Sequence, residues 1–144
     1  MNRVIIDAGP LVALFDKQDA DHQICQKILA DVRGQLITSS AVLTEVFHFL
    51  KAGSRSWLGV QEFVKQGNVS VVDLDSIRDF TECFDLMAKY QDNPMDFADA
   101  TLVMLAGINN TKDVFTLDVN DFSSYRIRNG FNYIQFNILG VEAL

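Results

Sequence analysis

Only two cysteines occur in the chain, each inside a helical pattern with apolar neighbours, so they supply neither a disulfide framework nor the spacing of a thiolate metal site. Cys25 and Cys83 are expected as buried thiols of a reducing compartment. Histidine is equally scarce, and His22 and His48 fall on different predicted helices, which speaks against a zinc centre. No apolar run approaches the ~18 residues that span a bilayer. The N-terminal run Val4-Ile5-Ile6 is cut by Asp7 and Gly9-Pro10 before it can form a signal-peptide core. A soluble cytoplasmic protein without membrane association is therefore expected. Positive charge is also in deficit: 12 Lys and Arg against 19 Asp and Glu leave a formal net charge of −7. That balance excludes a broad cationic surface for nonspecific attraction to nucleic acid. A polyanion would have to be held locally, by divalent cations or by the few basic residues Lys51, Arg55, Lys65, Arg126 and Arg128. Solvated surface is the plain alternative for those five.

What the chain does contain is alternation. Its 144 residues, 49% of them hydrophobic, suit a single domain over residues 1–144. Short β-branched runs alternate with longer helical patterns, the mark of a mostly parallel sheet covered on both faces. The pattern predicts strands at residues 4–6, 36–38, 69–72, 114–117 and 133–136. Helices are predicted at 10–15, 20–32, 41–52 and 57–65, the third capped by Ser39 or Ser40. Ser76, with Asp79 three residues on, opens another helix that runs to about Tyr90. Asn93 as cap with Pro94 at the first helical position is expected to open the last, which ends at Ala106. In such sheets the functional crevice lies at the carboxyl ends of the strands.

Four acids occupy apolar surroundings where an isolated carboxylate is costly unless a cation or several donors compensate it. Asp7 follows the first strand, and capping the next helix is its ordinary alternative role. Glu45 lies at the border of the buried arc in Val42-Leu43-Thr44-Glu45-Val46-Phe47, where it reaches either a crevice or water. Asp99 sits in Phe97-Ala98-Asp99-Ala100, inside a helix apolar nearly all round. Asp96, three residues earlier on the same face, would repel it unless a cation lies between them or one acid is protonated; as an alternative, Asp96 complements the helix dipole. Asp118 ends the fourth strand. Asp121 follows as a loop or capping candidate, and the Thr116 hydroxyl is placed to orient a neighbouring carboxylate. Four such acids suggest one shared site for hard divalent cations, the usual equipment for activating water against a phosphodiester.

In their order along the chain these blocks resemble the PIN-domain proteins of the VapC-like toxin type. The resemblance rests on Val4-Ile5-Ile6-Asp7-Ala8-Gly9-Pro10-Leu11, Ser40-Ala41-Val42-Leu43-Thr44-Glu45-Val46, Phe97-Ala98-Asp99-Ala100 and Phe115-Thr116-Leu117-Asp118-Val119-Asn120-Asp121-Phe122. It implies a three-layer α/β/α sandwich with a central, mostly parallel five-stranded sheet. It also implies Mg²⁺- or Mn²⁺-dependent cleavage of RNA, a homodimer, and neutralisation by a cognate antitoxin. By the same resemblance Asp7, Glu45, Asp99 and Asp118 carry over as catalytic and metal-binding acids, with Asp96 and Asp121 in support. Two other readings compete. A receiver domain also sets acids at strand ends, but it wants adjacent acids near the first strand and a lysine after a late strand, whereas Asp7 stands alone and Lys112 precedes its strand. A non-catalytic module of the same fold would use the acids to bind a metal or a cationic side chain of a partner.

Overall fold

A computed structural model describes residues 2–140. In chain order the elements are β1 (Arg3–Ile6), α1 (Ala8–Phe15), α2 (His22–Asp31), β2 (Gln35–Thr38), α3 (Ser40–Phe49), α4 (Arg55–Lys65) and β3 (Val69–Val71). They continue with α5 (Ile77–Lys89), α6 (Phe97–Ile108), β4 (Asp113–Phe115), α7 (Val119–Ser124), β5 (Arg126–Asn129), β6 (Asn132–Gln135) and β7 (Asn137–Ile138).

Five strands form a wholly parallel sheet in the order β3-β2-β1-β4-β7. Helices flank it, in the α/β/α arrangement expected from the sequence. β1 lies in the centre, and its Ile5 and Ile6 are completely buried. Burial of this kind contributes about 1.5–3 kcal/mol per large aliphatic side chain, which explains why an uninterrupted β-branched run marks the strand. From β1 the chain steps outward to β2 and β3, then returns to the other side of β1 as β4. The order of strands therefore reverses between β1 and β4, where an open crevice forms beyond their carboxyl ends. Gly34 allows the turn into β2. Its φ of +134° suits glycine, and any Cβ there would collide with the carbonyl oxygen of Asn2.

Three expectations need correction. The fifth strand of the sheet is β7, not residues 133–136, most of which form β6 and pair antiparallel with β5 in a separate hairpin. Ile127 opposite Ile134 gives that hairpin its own apolar side, and α6 packs against β5. The last long helix is capped by Asp96, whose Oδ1 accepts the Asp99 backbone N–H at 2.8 Å. Asn93 instead donates to the Ser124 hydroxyl, and Pro94 precedes the helix. That helix also runs past the expected end at Ala106, through Gly107 to Ile108, and Asn110, with φ +51°, takes the left-handed position just beyond it. Elsewhere the capping signals act as read: Ser39 accepts from Val42 and Ser76 from Asp79. Cys25 and Cys83 are free and fully buried. No helix among the described residues is long and apolar enough to cross a membrane.

Candidate metal centre

The crevice between β1 and β4 opens into a cleft of about 410 Å³ lined by Asp7, Glu45, Asp96, Asp99, Asp118 and Asp121. Ala8, Gly9, Phe49, Pro94 and Leu117 complete the lining, so no lysine, arginine or histidine is among the described residues that face it. Each acid is delivered by a different local device. Asp7 terminates β1 and caps α1, its Oδ1 accepting the Ala8 N–H at 2.8 Å. Thr116, just past β4, donates its hydroxyl to Asp7 Oδ2 at 2.9 Å and accepts the Asp118 N–H at 3.0 Å. One hydroxyl thus joins the two strand ends. The capping role weighed for Asp7 and its place in the cleft coexist, since a carboxylate can accept several bonds.

Asp99 is 9% exposed on the first turn of α6, and its Oδ2 accepts the hydroxyl of Tyr125 at 2.9 Å. Asp118 stands at the N-terminus of α7 without making a side-chain capping bond. Asp121, three residues further, shares its helical face. Carboxylate oxygens of Asp99, Asp118 and Asp121 lie within 4.8 Å of one another, the geometry of a shared cation site. This grouping differs from the four acids singled out in the sequence: Asp121 joins it, while Asp7 and Glu45 line the same cleft around it. Glu45 projects from the middle of α3, near enough to Asp96 and Asp7 to be repelled by both.

The electrostatics follow from burial first and crowding second. Desolvation raises Asp7, opposed by its hydrogen bonds from Ala8 and Thr116. Asp99 is pushed up to about 8 by desolvation and then by the charges of Asp7 and Asp96, against the stabilising hydroxyl of Tyr125. Desolvation followed by Asp96 and Asp7 lifts Glu45 to about 7. Desolvation and then Asp121 lift Asp118 to about 6. Carboxyl oxygens held together against their mutual repulsion, with no cationic side chain among the described residues lining the cleft, form a donor set suited to a hard divalent cation.

Below the cleft, hydroxyl groups hold the helix N-termini. Thr38 donates to the Ile6 carbonyl at 2.9 Å, Ser39 and Thr101 share a 2.8 Å bond between α3 and α6, and Thr101 donates to the Ala98 carbonyl. Tyr125, Thr38, Ser39 and Thr101 escape a sequence search for acids. For Tyr125 a signal exists in the spacing Phe122-x-x-Tyr125, and the two rings meet edge to face where α7 ends, 5.1 Å between centres. The five basic residues considered above do not gather here. Lys51, Arg55 and Lys65 lie on α4 or just before it, and Arg126 and Arg128 lie on β5.

With this geometry in place, comparison with known proteins becomes specific. The PIN domain model matches residues 4–127, and the chain belongs to the PIN domain family. Ribonuclease VapC26 of Mycobacterium tuberculosis (strain ATCC 25618 / H37Rv) is similar at 27% identity over 125 residues, which span 85% of this chain and 92% of that protein. Among solved structures, VapC20 of M. tuberculosis, described as a sarcin-ricin loop cleaving toxin, superposes with a TM-score of 0.72 at 18% identity, covering 81% of this chain and 91% of that one. The DNA-bound VapBC complex of Salmonella typhimurium gives 0.62 at 15% identity over 96% of this chain and 98% of the other. The DNA-bound VapBC2 of Rickettsia felis gives 0.61 at 15% identity over 96% and 99%. These likenesses establish the fold.

Proposed function

We propose that this protein is a divalent-metal-dependent endoribonuclease and the toxin member of a toxin–antitoxin pair. The observation that carries the proposal is the convergence of acids from β1, α3, α6 and the β4–α7 turn on one cleft at the point where the strand order reverses. The relative named Ribonuclease VapC26 supports the substrate class. Asp99, Asp118 and Asp121 would hold Mg²⁺ or Mn²⁺, with Asp7 beside them. Such an ion, when bound, would supply positive charge against the scissile phosphate and would favour ionisation of the attacking water.

The protein's own contribution is positioning. Thr116 fixes the rotamer of Asp7, and Tyr125 does the same for Asp99, so the carboxylates are oriented before substrate arrives. Asp96 secures the first turn of α6 and adds negative charge to the rim. Glu45, reaching the cleft from α3 and lifted toward neutrality, serves either as the proton acceptor for the attacking water or as a ligand for a second ion. Glu45→Gln separates these roles: a shifted acid limb of the pH profile at unchanged Mn²⁺ affinity marks the former, and weakened Mn²⁺ binding the latter.

The solved VapBC complexes support a cognate antitoxin as partner. A homodimer is the proposed assembly, and Phe80, Phe84 and Phe97, a partly exposed aromatic cluster on α5 and α6, supply an apolar face for it. The buried free thiols fit the cytoplasm. The deciding experiment incubates the purified chain with RNA and Mn²⁺ or Mg²⁺. Cleavage that disappears with a chelator and with Asp99→Asn supports the proposal. Mn²⁺ binding without any cleavage would leave only a binding module.

A further inference from the structure

The hairpin that the sheet leaves out carries its own pattern. In β5, Arg126 and Arg128 alternate with Ile127, which is buried. Register places Arg128 opposite Tyr133 and Arg126 opposite Gln135, so both arginines and the tyrosine share the face turned away from the Ile127–Ile134 side. This face meets α5 across a groove of about 670 Å³, to which the helix adds Arg78 and Lys89. Glu82 and Asp85 also line it, leaving four cations against two acids in a chain whose net charge is −7. Three of the cations engage neutral partners. Arg126 donates to the carbonyls of Ser123 and Tyr125, Arg128 to that of Gly130, and the Lys89 ammonium sits 3.9 Å from the centre of the Tyr133 ring. Their charge is thus left for an outside anion. Aromatic surface accompanies it: Tyr133 is 57% exposed, and Phe131 at the hairpin tip is completely exposed.

We infer that this groove is a track for single-stranded RNA, binding phosphates along α5 and β5 and stacking bases on the exposed hairpin aromatics. Arg78 and Lys89 stand at opposite ends of α5, about 16 Å apart by helical rise, a span of several phosphate spacings. Cations interleaved with exposed aromatics are what sequence-tolerant binding of single strands requires. The groove and the acid cleft are neighbours along the chain, since Arg126 directly follows the buried Tyr125, whose hydroxyl donates to Asp99. The inference builds on the ribonuclease reading by assigning a path for the substrate. Charge complementarity favours RNA over an apolar partner at this surface.

The test measures fluorescence anisotropy of a labelled 20-nucleotide mixed-sequence RNA with the full chain carrying Asp99→Asn, so that cleavage does not interfere. Adding Arg78→Gln and Arg128→Gln together, one from each wall and both exposed, should weaken binding at least tenfold. It should also flatten the log–log salt dependence by about 1.4, at roughly 0.7 per phosphate contact. Tyr133→Ala should weaken binding at least fivefold, and Tyr133→Phe should restore it. Lys51→Gln with Arg55→Gln, outside the groove, should change neither quantity. Affinity and salt slope within twofold of the parent in the Arg78/Arg128 variant overturn the inference, whatever the cleavage assay shows. If the wild-type chain cleaves no RNA while the groove variants still lose binding, the hydrolytic reading falls and the groove stands.

Discussion

The acid cleft and the hairpin groove carry opposite charge and are built in opposite ways. The cleft draws carboxylates from four separated segments into a desolvated hollow, where Asp99 moves to about 8 and Glu45 to about 7. The groove spreads cations over an exposed surface and gives three of them carbonyl or ring partners. Burial amplifies charge interactions that water and salt screen at the surface. The cleft should therefore decide chemistry and metal affinity, and the groove should decide salt-dependent affinity.

The largest effect separates the two regions outright. Asp99→Asn should lower cleavage by about 10³-fold, the scale of a lost catalytic electrostatic group, and leave RNA affinity in the groove intact, which paired cleavage and anisotropy assays check. The same substitution should raise the melting temperature of the metal-free protein at pH 8. The sign follows from linkage: the folded value of Asp99, about 8, lies above its unfolded value near 4. The folded state then holds more protons, and stability is present at low pH and lost as pH rises through that window. Metal-free wild-type protein should accordingly melt at a falling temperature from pH 5 to pH 8 in calorimetry. Mn²⁺ at 100 times its dissociation constant should restore about 2.7 kcal/mol. A melting temperature that rises with pH over this range would refute the crowding argument.

Smaller effects grade the contrast. Tyr125→Phe and Thr116→Val remove one orienting hydroxyl each and should weaken Mn²⁺ affinity or cleavage about 10- to 100-fold. Isothermal titration and initial rates would show it, with no change in the salt slope of RNA binding. The Arg78/Arg128 pair should do the converse, raising KM in a salt-dependent way while kcat holds. Equal kcat losses from the groove and the cleft would dissolve the distinction between them.

Much of this architecture is legible in the amino-acid order because burial imposes composition. β1, β2 and β4 are apolar runs bounded by turn residues, and α6 is apolar on nearly every side. An acid within such a run stands out, and Asp7 and Asp99 do. The segment after β4 is less legible. Two-to-six-residue elements such as α7 and β7 leave too little periodicity, and the apolar pattern at 133–136 suits a hairpin strand as well as a sheet strand. A usable sign was present in the two-residue turn at Gly130 and Phe131, where glycine's φ of +63° matches the first position of a hairpin turn. The distinction between Asn93 and Asp96 as cap depends on where the backbone turns into the helix, because each would accept the amide three residues on and only the Asp96–Asp99 bond forms, a matter of backbone path that spacing leaves open.

Hydrophobic patterning along the chain determined a parallel α/β architecture and marked several acids as anomalous, because the cost of desolvating a carboxylate is a property of its immediate neighbours. Which of those acids share a space was decided only in three dimensions. The reversal of strand order beside β1 brings residues more than 100 positions apart within hydrogen-bonding distance, as Thr116 and Asp7 demonstrate. Tertiary packing likewise set Tyr125 on Asp99 and gathered Arg78, Lys89, Arg126 and Arg128 along one groove. Coulomb and hydrogen-bond energies depend on distance through space, and distance along the chain does not supply it.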